Sequence, residues 1–543
     1  MRRIAIFSLL LLTLWARAQP KYEVRAVWLT TIGGIDWPAS YARDGMGVEA
    51  QKAQLCHMLD RLKAVHINTV LIQTRVRATT IYPSDLEPWD ACLSGKAGVS
   101  PGYDALQFAI DECHRRGMEL HAWVVTIPVG KWDTYGCRQL RRRYPSLIKK
   151  IGDEGYMNPE STVTADYLAD ICGELTRKYD VDGIHLDYIR YPETWRGAKS
   201  LENITRIVRR IHDRVKTFKP WVKLSCSPIG KYDDLTRYRS NGWNARRRVA
   251  QDAQGWLRDG LMDQLYPMMY FQGNHFYPFA LDWQEESYGR TVVSGLGIYM
   301  LHRREGNWPL DEVKRQLSVT RQIGMGHCYF RAKFLLEDVK GVYQLAGLFD
   351  NAPALVPPLT WEHATPPTPP SYLKVEHTRE GDRLSWGGAR DRSDGPYLMY
   401  NVYASREEDV NTADAANLVA TRHLWQHISV KPKAGMHYAV CAVDRYGNES
   451  EPVREAGARQ VLTMPSPLLA NDGFHLTLPA SADTPYLAFC TLQGTMLRTC
   501  HYSRQVDIGM LPEGIYVLKS LNRKGVTHRL GYFIIKRQGR NHD

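Results

Sequence analysis

"VDGIHLDYIRYP", residues 181–192, decides how the first two-thirds of the chain is organised. Apolar residues alternate with His185 and Asp187, and Pro192 closes the run. A period of two is that of a β-strand, so His185 and Asp187 share one face and Asp182 and Ile184 the other. Burying an unpaired charge is costly. A carboxylate, an imidazole and the guanidinium of Arg190 in so short a run therefore point to a solvated strand end or to chemistry.

Seven further strand-like runs accompany it. They are "EVRAVWLT" (23–30), "NTVLIQTRV" (68–76), "MELHAWVVT" (118–126), "KLSCSPI" (223–229), "DQLYPMMYF" (263–271), "TVVSGLGIY" (291–299) and "GHCYFRA" (326–332). Helical patterns separate them, as at 48–65, 103–117 and 201–218. Strict β-α alternation implies parallel strands. Eight repeats fit an α/β fold, a (β/α)8 barrel over residues 19–350. A doubly wound open sheet is the alternative, and no G-x-G-x-x-G follows an early strand to support it.

The 543 residues exceed one hydrophobic core and predict two to four domains. The opening "MRRIAIFSLLLLTLWARAQP" has two arginines, a short apolar run and Ala16-Arg17-Ala18. That pattern predicts a signal peptide over 1–18 and an exported protein, periplasmic or secreted. The apolar run is shorter than a membrane-spanning helix requires. Residues 351–370 are rich in proline and read as a stiff linker. Short alternating strands follow, in one β-sandwich over 371–458 and a second over 459–543.

The net charge is +12, and +9 once Arg2, Arg3 and Arg17 are removed. A basic exported protein suits an anionic cell wall or surface. The runs at 141–150 and 246–248 read first as solvated helix faces. No nucleic-acid-binding motif accompanies the charge, which excludes a nucleic-acid partner. Ten cysteines show no C-x-x-C and no zinc-site spacing, so no metal and no cofactor is expected. Cys490 and Cys500 are placed to pair across neighbouring strands.

In such a barrel, function gathers at the C-terminal ends of the strands. Those ends bring Asp36 and Trp37, then Gln73, Arg75, Arg77 and Tyr82, then His121 and Trp123, then His185, Asp187 and Arg190. "SCSPIGKYDD" follows strand five, and Tyr266, Tyr270, Tyr299, Tyr329 and Arg331 complete the ring. Aromatic faces and polar groups converging there suit a sugar. Asp187 near the rim can act as nucleophile, charge stabiliser or acid; the structural alternative is an Asp187–Arg190 ion pair closing a turn. Arg75 and Arg77 either hold a carboxylate-bearing or acetamido sugar or neutralise Asp187.

The motifs "EVRAVWLTTIGGIDWP", "YPSDLEPW", "YDALQFAIDECHRRGMELHAWV", "NPES", "VDGIHLDYIRYP", "SPIGKY" and "WLRDGLMDQLYPMMYF" occur in this order. Together they resemble the bacterial glycosyl-hydrolase-like family 10 proteins over about residues 22–345. The resemblance implies a (β/α)8 barrel acting on glycan, with peptidoglycan strands stripped of stem peptides as the substrate of at least one branch. It also implies roles for Asp187, Asp36, His121 and Asn158. Many relatives carry a second acidic residue directly after the motif Asp, where this chain has Tyr188. "YAVCAVDRYGNESEP" resembles the last strands of fibronectin type III domains, and "GIYVLK" with its terminal apolar-basic strand is similar to type IX sorting domains.

The expected function is thus glycosidic-bond hydrolysis in a polysaccharide, peptidoglycan or another N-acetylated glycan. Asp187 and Asp36 are the catalytic pair. Asp85, Glu87, Asp233 and Asp234 are alternatives to Asp36. Substrate contacts are expected from His185, His121, Trp37, Arg75, Arg77, Trp123, Asn158, Arg190, Tyr266 and Tyr270. An N-acetyl group on the substrate could itself attack, so that one acid suffices. Two rivals stand beside this: a non-catalytic glycan-binding protein, and a metal-dependent deacetylase ligating through His121, His185 and Asp187.

Overall fold

The computed structural model describes residues 19–236, 238, 242–378, 380–431, 435–455, 469–478, 486–491, 496–521 and 527–536. The expected signal peptide lies outside the described residues. They form two compact units, one up to Glu455 and one from Ala456.

Eight parallel strands close the barrel: β1 Arg25–Leu29, β2 Thr69–Arg75, β3 Glu119–Val125, β4 Gly183–Asp187, β5 Lys223–Cys226, β6 Gln264–Leu265, β7 Thr291–Leu296 and β8 Gly326–Tyr329. Each neighbour in the ring is the next strand in the chain, and β8 returns to β1. All eight sequence runs thus become staves. The stave β6 is short because Pro267 has no N–H for the ladder; single bridges of Met268 to Ile229 and to Gly295 carry the pairing onward.

The helices form where apolar residues recur every three to four positions. Leu201–Phe218 buries Ile204, Ile207, Val208, Ile211 and Val215, and the Ser200 hydroxyl caps it by accepting from the Asn203 N–H. Between these helices and the strands lies the main core, with Leu59, Ile110, Leu168 and Leu224. A smaller core fills the barrel itself, from Ala26, Trp28, Leu71, Trp123 and Tyr266. At Gly183 a Cβ would stand 2.7 Å from the His121 ring, so the imidazole occupies the space that a side chain there would take.

An insertion after β3 departs from the expected solvated helix over 141–150. The helix Tyr135–Arg143 stops before Pro145, and Ile148–Ile151 joins a three-stranded antiparallel sheet with Pro128–Lys131 and Glu154–Met157. Along that strand Ile148 is buried, Lys149 and Lys150 are exposed and Ile151 is half-buried. Arg246–Arg248 do sit exposed on the helix Ala245–Val249.

The proline-rich stretch does not run free as a spacer. Leu355 exchanges backbone hydrogen bonds with Lys21 and Glu23, and the Trp361 indole donates to Asp263 at 2.8 Å. Beyond it, a three-stranded and a four-stranded antiparallel sheet enclose Trp386, Tyr400, Val402, Tyr438 and Val440. The second unit has sheets of two and four strands around Leu476, Phe489, Ile508, Leu518 and Phe533. Cys490 and Cys500 are unbonded, because the register sets Cys500 opposite Leu487 and Cys490 opposite Met496.

The first sandwich closes the barrel floor. Glu119 and Asp182, at the N-terminal ends of β3 and β4, are buried. Arg422 of the sandwich bridges both, at 3.0 Å to Glu119, and Arg445 adds a contact to Asp182 at 3.2 Å. Lys223 meets Glu119 at 2.8 Å and His114 meets Asp182 at 2.8 Å. Burial pushes both carboxyls up, and the surrounding cations overcome this and hold them below their usual range. Removing one partner of a buried pair strands the other charge. Arg422→Met should therefore lower stability by about 3 kcal/mol in urea denaturation. A loss under about 1 kcal/mol would show that the floor does not need the sandwich's charge.

Candidate active site

The strand β4 ends at the mouth with Asp187, 7% exposed. Its Oδ1 accepts from the Tyr188 N–H at 2.8 Å and the Ser227 hydroxyl at 3.0 Å. Its Oδ2 has the Trp123 indole N–H at 3.2 Å, a longer contact that leaves this oxygen able to carry a proton. Thr126 anchors the Asp187 carbonyl through its N–H and hydroxyl. Burial pushes the carboxyl above the ordinary carboxylate range, although Arg190, Ser227, Tyr188 and Trp123 all pull against it. The site therefore contains a buried carboxyl that holds its proton more tightly than an ordinary aspartate does.

Tyr188 has a left-handed backbone, φ 54°, which turns the chain sharply beyond Asp187. Its ring is 39% exposed, and the Arg190 guanidinium lies 4.2 Å from its centroid. Arg190 does not close a turn by pairing with Asp187. Its Nη2 donates to Glu193 at 2.9 Å, while Nε and Nη1 are buried without a partner among the described residues. Tyr270 stacks on Phe330 with centroids 5.2 Å apart, and Tyr299 meets Tyr270 edge-on. Asp187's charge contributes to raising the Tyr270 phenol, behind the larger effect of burial, which sets this aromatic wall within electrostatic reach of the acid. Arg77 is exposed beside Gly130 and helps to lower the Tyr188 phenol, which burial raises.

Several expected site residues lie elsewhere. Asp36 is not a free second carboxylate. Its Oδ2 accepts from the Thr30 N–H and hydroxyl, and its Oδ1 from Arg331 and the Lys333 N–H, so it clamps the β1 and β8 loops together. Trp37 is fully buried and donates to the Gln51 carbonyl at 2.9 Å, so no sugar can stack on it. Arg75 is fully buried in a bidentate pair with Glu87 at 2.7 and 2.8 Å, which removes both from substrate and catalytic roles. Asp85 faces Lys178, and Asp233 pairs with Arg246 and Arg247. Asp234 donates its N–H to Asp233. Asn158 makes a turn before the helix Thr162–Lys178, its Oδ1 accepting from the Glu160 N–H.

The histidines and Tyr266 belong to the barrel interior. His185 lies one inward position below Asp187, and His121 is level with Gly183, another inward position down. At about 3.3 Å per residue these layers are about 7 Å apart. His185 accepts from the Trp28 indole at 3.2 Å and meets the Ser225 hydroxyl at 2.9 Å, so both ring nitrogens are used. Burial pushes it well below the usual imidazole range, and the ring is neutral. His121 meets Glu119 at 3.1 Å. Tyr266 is buried and donates to Gln264. His121, His185 and Asp187 thus do not converge on a metal. Among the described residues the one group of three or more side chains spaced to hold a metal, Glu23, His327 and Asp350, lies at the other end of the barrel and is already bridged by Arg25 and Arg321.

Sequence reasoning did not single out Thr126 and Ser227, which hold Asp187. The available signal was their position directly after β3 and β5, where hydroxyls face the mouth.

A curated relative, the glycosyl hydrolase YngK of Bacillus subtilis (strain 168), is 27% identical over 492 residues, covering 80% of this chain and 93% of that protein. The glycosyl hydrolase DigH of Escherichia coli (strain K12) is 29% identical over 371 residues, covering 58% of this chain and 84% of that one. Among solved structures, the PgaB (BpsB) glycoside hydrolase domain from Bordetella bronchiseptica covers 60% of this chain and 99% of its own at 12% identity, with a TM-score of 0.43. The barrel and the two curated relatives define a glycoside hydrolase. The model of the family described as Glycosyl hydrolase-like 10 matches residues 23–200 and 193–299, and the chain belongs to that family.

A proton-donating Asp187 makes activity fall on the alkaline side, as the carboxyl ionises. The Ser227 hydroxyl favours the ionised form, so Ser227→Ala should raise Asp187 further and move the alkaline limb of kcat/KM to higher pH. A limb that stays in place or moves to lower pH contradicts this assignment.

Proposed function

We propose that this protein is an exported hydrolase of N-acetylated polysaccharide, with peptidoglycan glycan strands as its first substrate. The observation that carries the mechanism is the desolvated carboxyl of Asp187 at the mouth. The carboxylates considered as its partner are bound elsewhere: Asp36 to Arg331, Glu87 to Arg75, Asp233 to two arginines. Hydrolysis with one acid is balanced if the substrate supplies the nucleophile. The acetamido oxygen attacks C1, and Asp187 gives its proton to the departing glycosidic oxygen. A cyclic oxazolinium forms. Asp187, now a carboxylate, takes a proton from the water that reopens it, and the anomeric configuration is retained.

Tyr270, Tyr299 and Phe330 supply the stacking wall, and Tyr188, Arg77 and Arg190 the polar side. The N-terminal basic-apolar pattern supports export, and the net positive charge supports residence near an anionic wall. We assign the first sandwich as fibronectin type III-like and the last as a sorting domain on their sequence resemblance.

Incubation of the mature protein with intact and peptide-stripped strands, read by mass spectrometry, tests this. Wild type should release saccharides with water added across the bond, and Asp187→Asn should lose about 10³-fold in turnover while keeping its fold. Strands with the acetamido groups removed should resist cleavage. Near-wild-type turnover by Asp187→Asn would overturn the mechanism. The rival, a glycan-binding protein, is favoured by Tyr188 standing where relatives have a second acid, and retention of the polymer with no product would support it.

A further inference from the structure

The loops that leave β2 and β3 enclose a cavity of about 490 Å3 that chemistry at Asp187 does not use. That volume is within the range of small-ligand sites. One wall is apolar, from Leu86, Pro88, Leu140 and the ring of Tyr135. The other carries Arg142 and Arg143, both exposed on the last turn of the helix Tyr135–Arg143. Among the described residues neither has a carboxylate within ion-pair reach, and Arg143 lies 5.4 Å from the Tyr144 ring centroid.

The floor explains which charge the cavity accepts. Glu87 lines it, but both its oxygens are held by Arg75, and Tyr167 donates to one of them at 3.0 Å. The floor is therefore neutral under a doubly positive rim. Two arginines at a helix end are also what a solvated terminus would carry. The concave surface beneath them, with an aromatic face beside it, is not explained by solvation. Gly98 and Gly136 shape that surface. A Cβ on Gly98 would lie 2.8 Å from the Tyr135 ring, and one on Gly136 2.5 Å from the Ala78 carbonyl oxygen.

The cavity is built in part from the segments that leave the C-terminal ends of β2 and β3, the same end of the barrel at which β4 presents Asp187. Ala78 in its lining follows Arg77, whose charge reaches Tyr188 beside Asp187. Arg75, under the floor, donates at 2.9 Å to the carbonyl of Thr126, the residue that anchors Asp187. We propose that this cavity is a subsite for a carboxylate-bearing pyranose of the polymer, with Arg142 and Arg143 taking the carboxylate and Tyr135 and the apolar wall taking the ring. It rests on the reading of the protein as a hydrolase of N-acetylated glycan.

The full chain is titrated with N-acetylmuramic acid, N-acetylglucosamine and glucuronic acid, with binding read by saturation-transfer NMR at low salt. A carboxylate sugar should bind about tenfold or more tighter than N-acetylglucosamine. Arg142→Ala/Arg143→Ala should abolish that preference, and Arg142→Lys/Arg143→Lys should keep part of it. Whichever acid binds better tells a lactyl ether from a uronic acid. On peptide-stripped strands the alanine pair should raise KM about tenfold and leave kcat unchanged. No preference in wild type, or a preference that survives the alanine pair, overturns the subsite. Arginine-dependent binding in a protein that cleaves no glycan would keep the subsite and overturn the hydrolytic reading of its substrate.

Discussion

A carboxyl buried at the end of a barrel strand, with three hydrogen-bond donors around it, is the constraint on which the rest depends. Burial favours its neutral form and the donors favour its charge, and burial prevails. That balance requires a closed wall. Trp123 must rise from β3 to Oδ2, Ser227 must follow β5 to Oδ1, and Tyr188 must turn in a left-handed conformation. Each depends on the register of β3, β4 and β5, and at the other end of β3 and β4 Arg422 and Arg445 hold Glu119 and Asp182. The sandwich therefore completes the barrel that positions the acid.

The fold was largely legible because its signal is local. Eight strand-like runs each became a stave, and the helical patterns read at 48–65, 103–117 and 201–218 became covering helices. The three-stranded insertion at 128–157 was not, because its strands are only four residues long and Ile148–Ile151 begins within the basic run 141–150, whose arginines do form a helix end. The proline-rich stretch misled for another reason: composition reports stiffness, not the backbone partners Lys21, Glu23 and Tyr446 that dock it.

The site was legible in one residue more than in its set. Asp187 stands out because a charge interrupts a buried pattern. Asp36, Arg75 and Trp37 stood at strand ends as well, and only side-chain direction separates them from the mouth. Asp36 turns toward Arg331, distant in sequence by almost the whole barrel, and Arg75 toward Glu87. His121, His185 and Tyr266 satisfy the period of two yet sit below the rim, because alternation gives the face of a strand and not the depth of a layer.

The central claim is that Asp187 carries a proton where an ordinary carboxyl has lost it. A carboxyl-¹³C NMR titration of the folded protein, assigned by difference from Asp187→Asn, measures this directly. The account predicts a resonance titrating above the ordinary aspartate value of about 3.9, and further upward in Ser227→Ala. A resonance titrating at or below that value would show a charged carboxylate held by its donors, and would contradict the assignment of Asp187 as the acid.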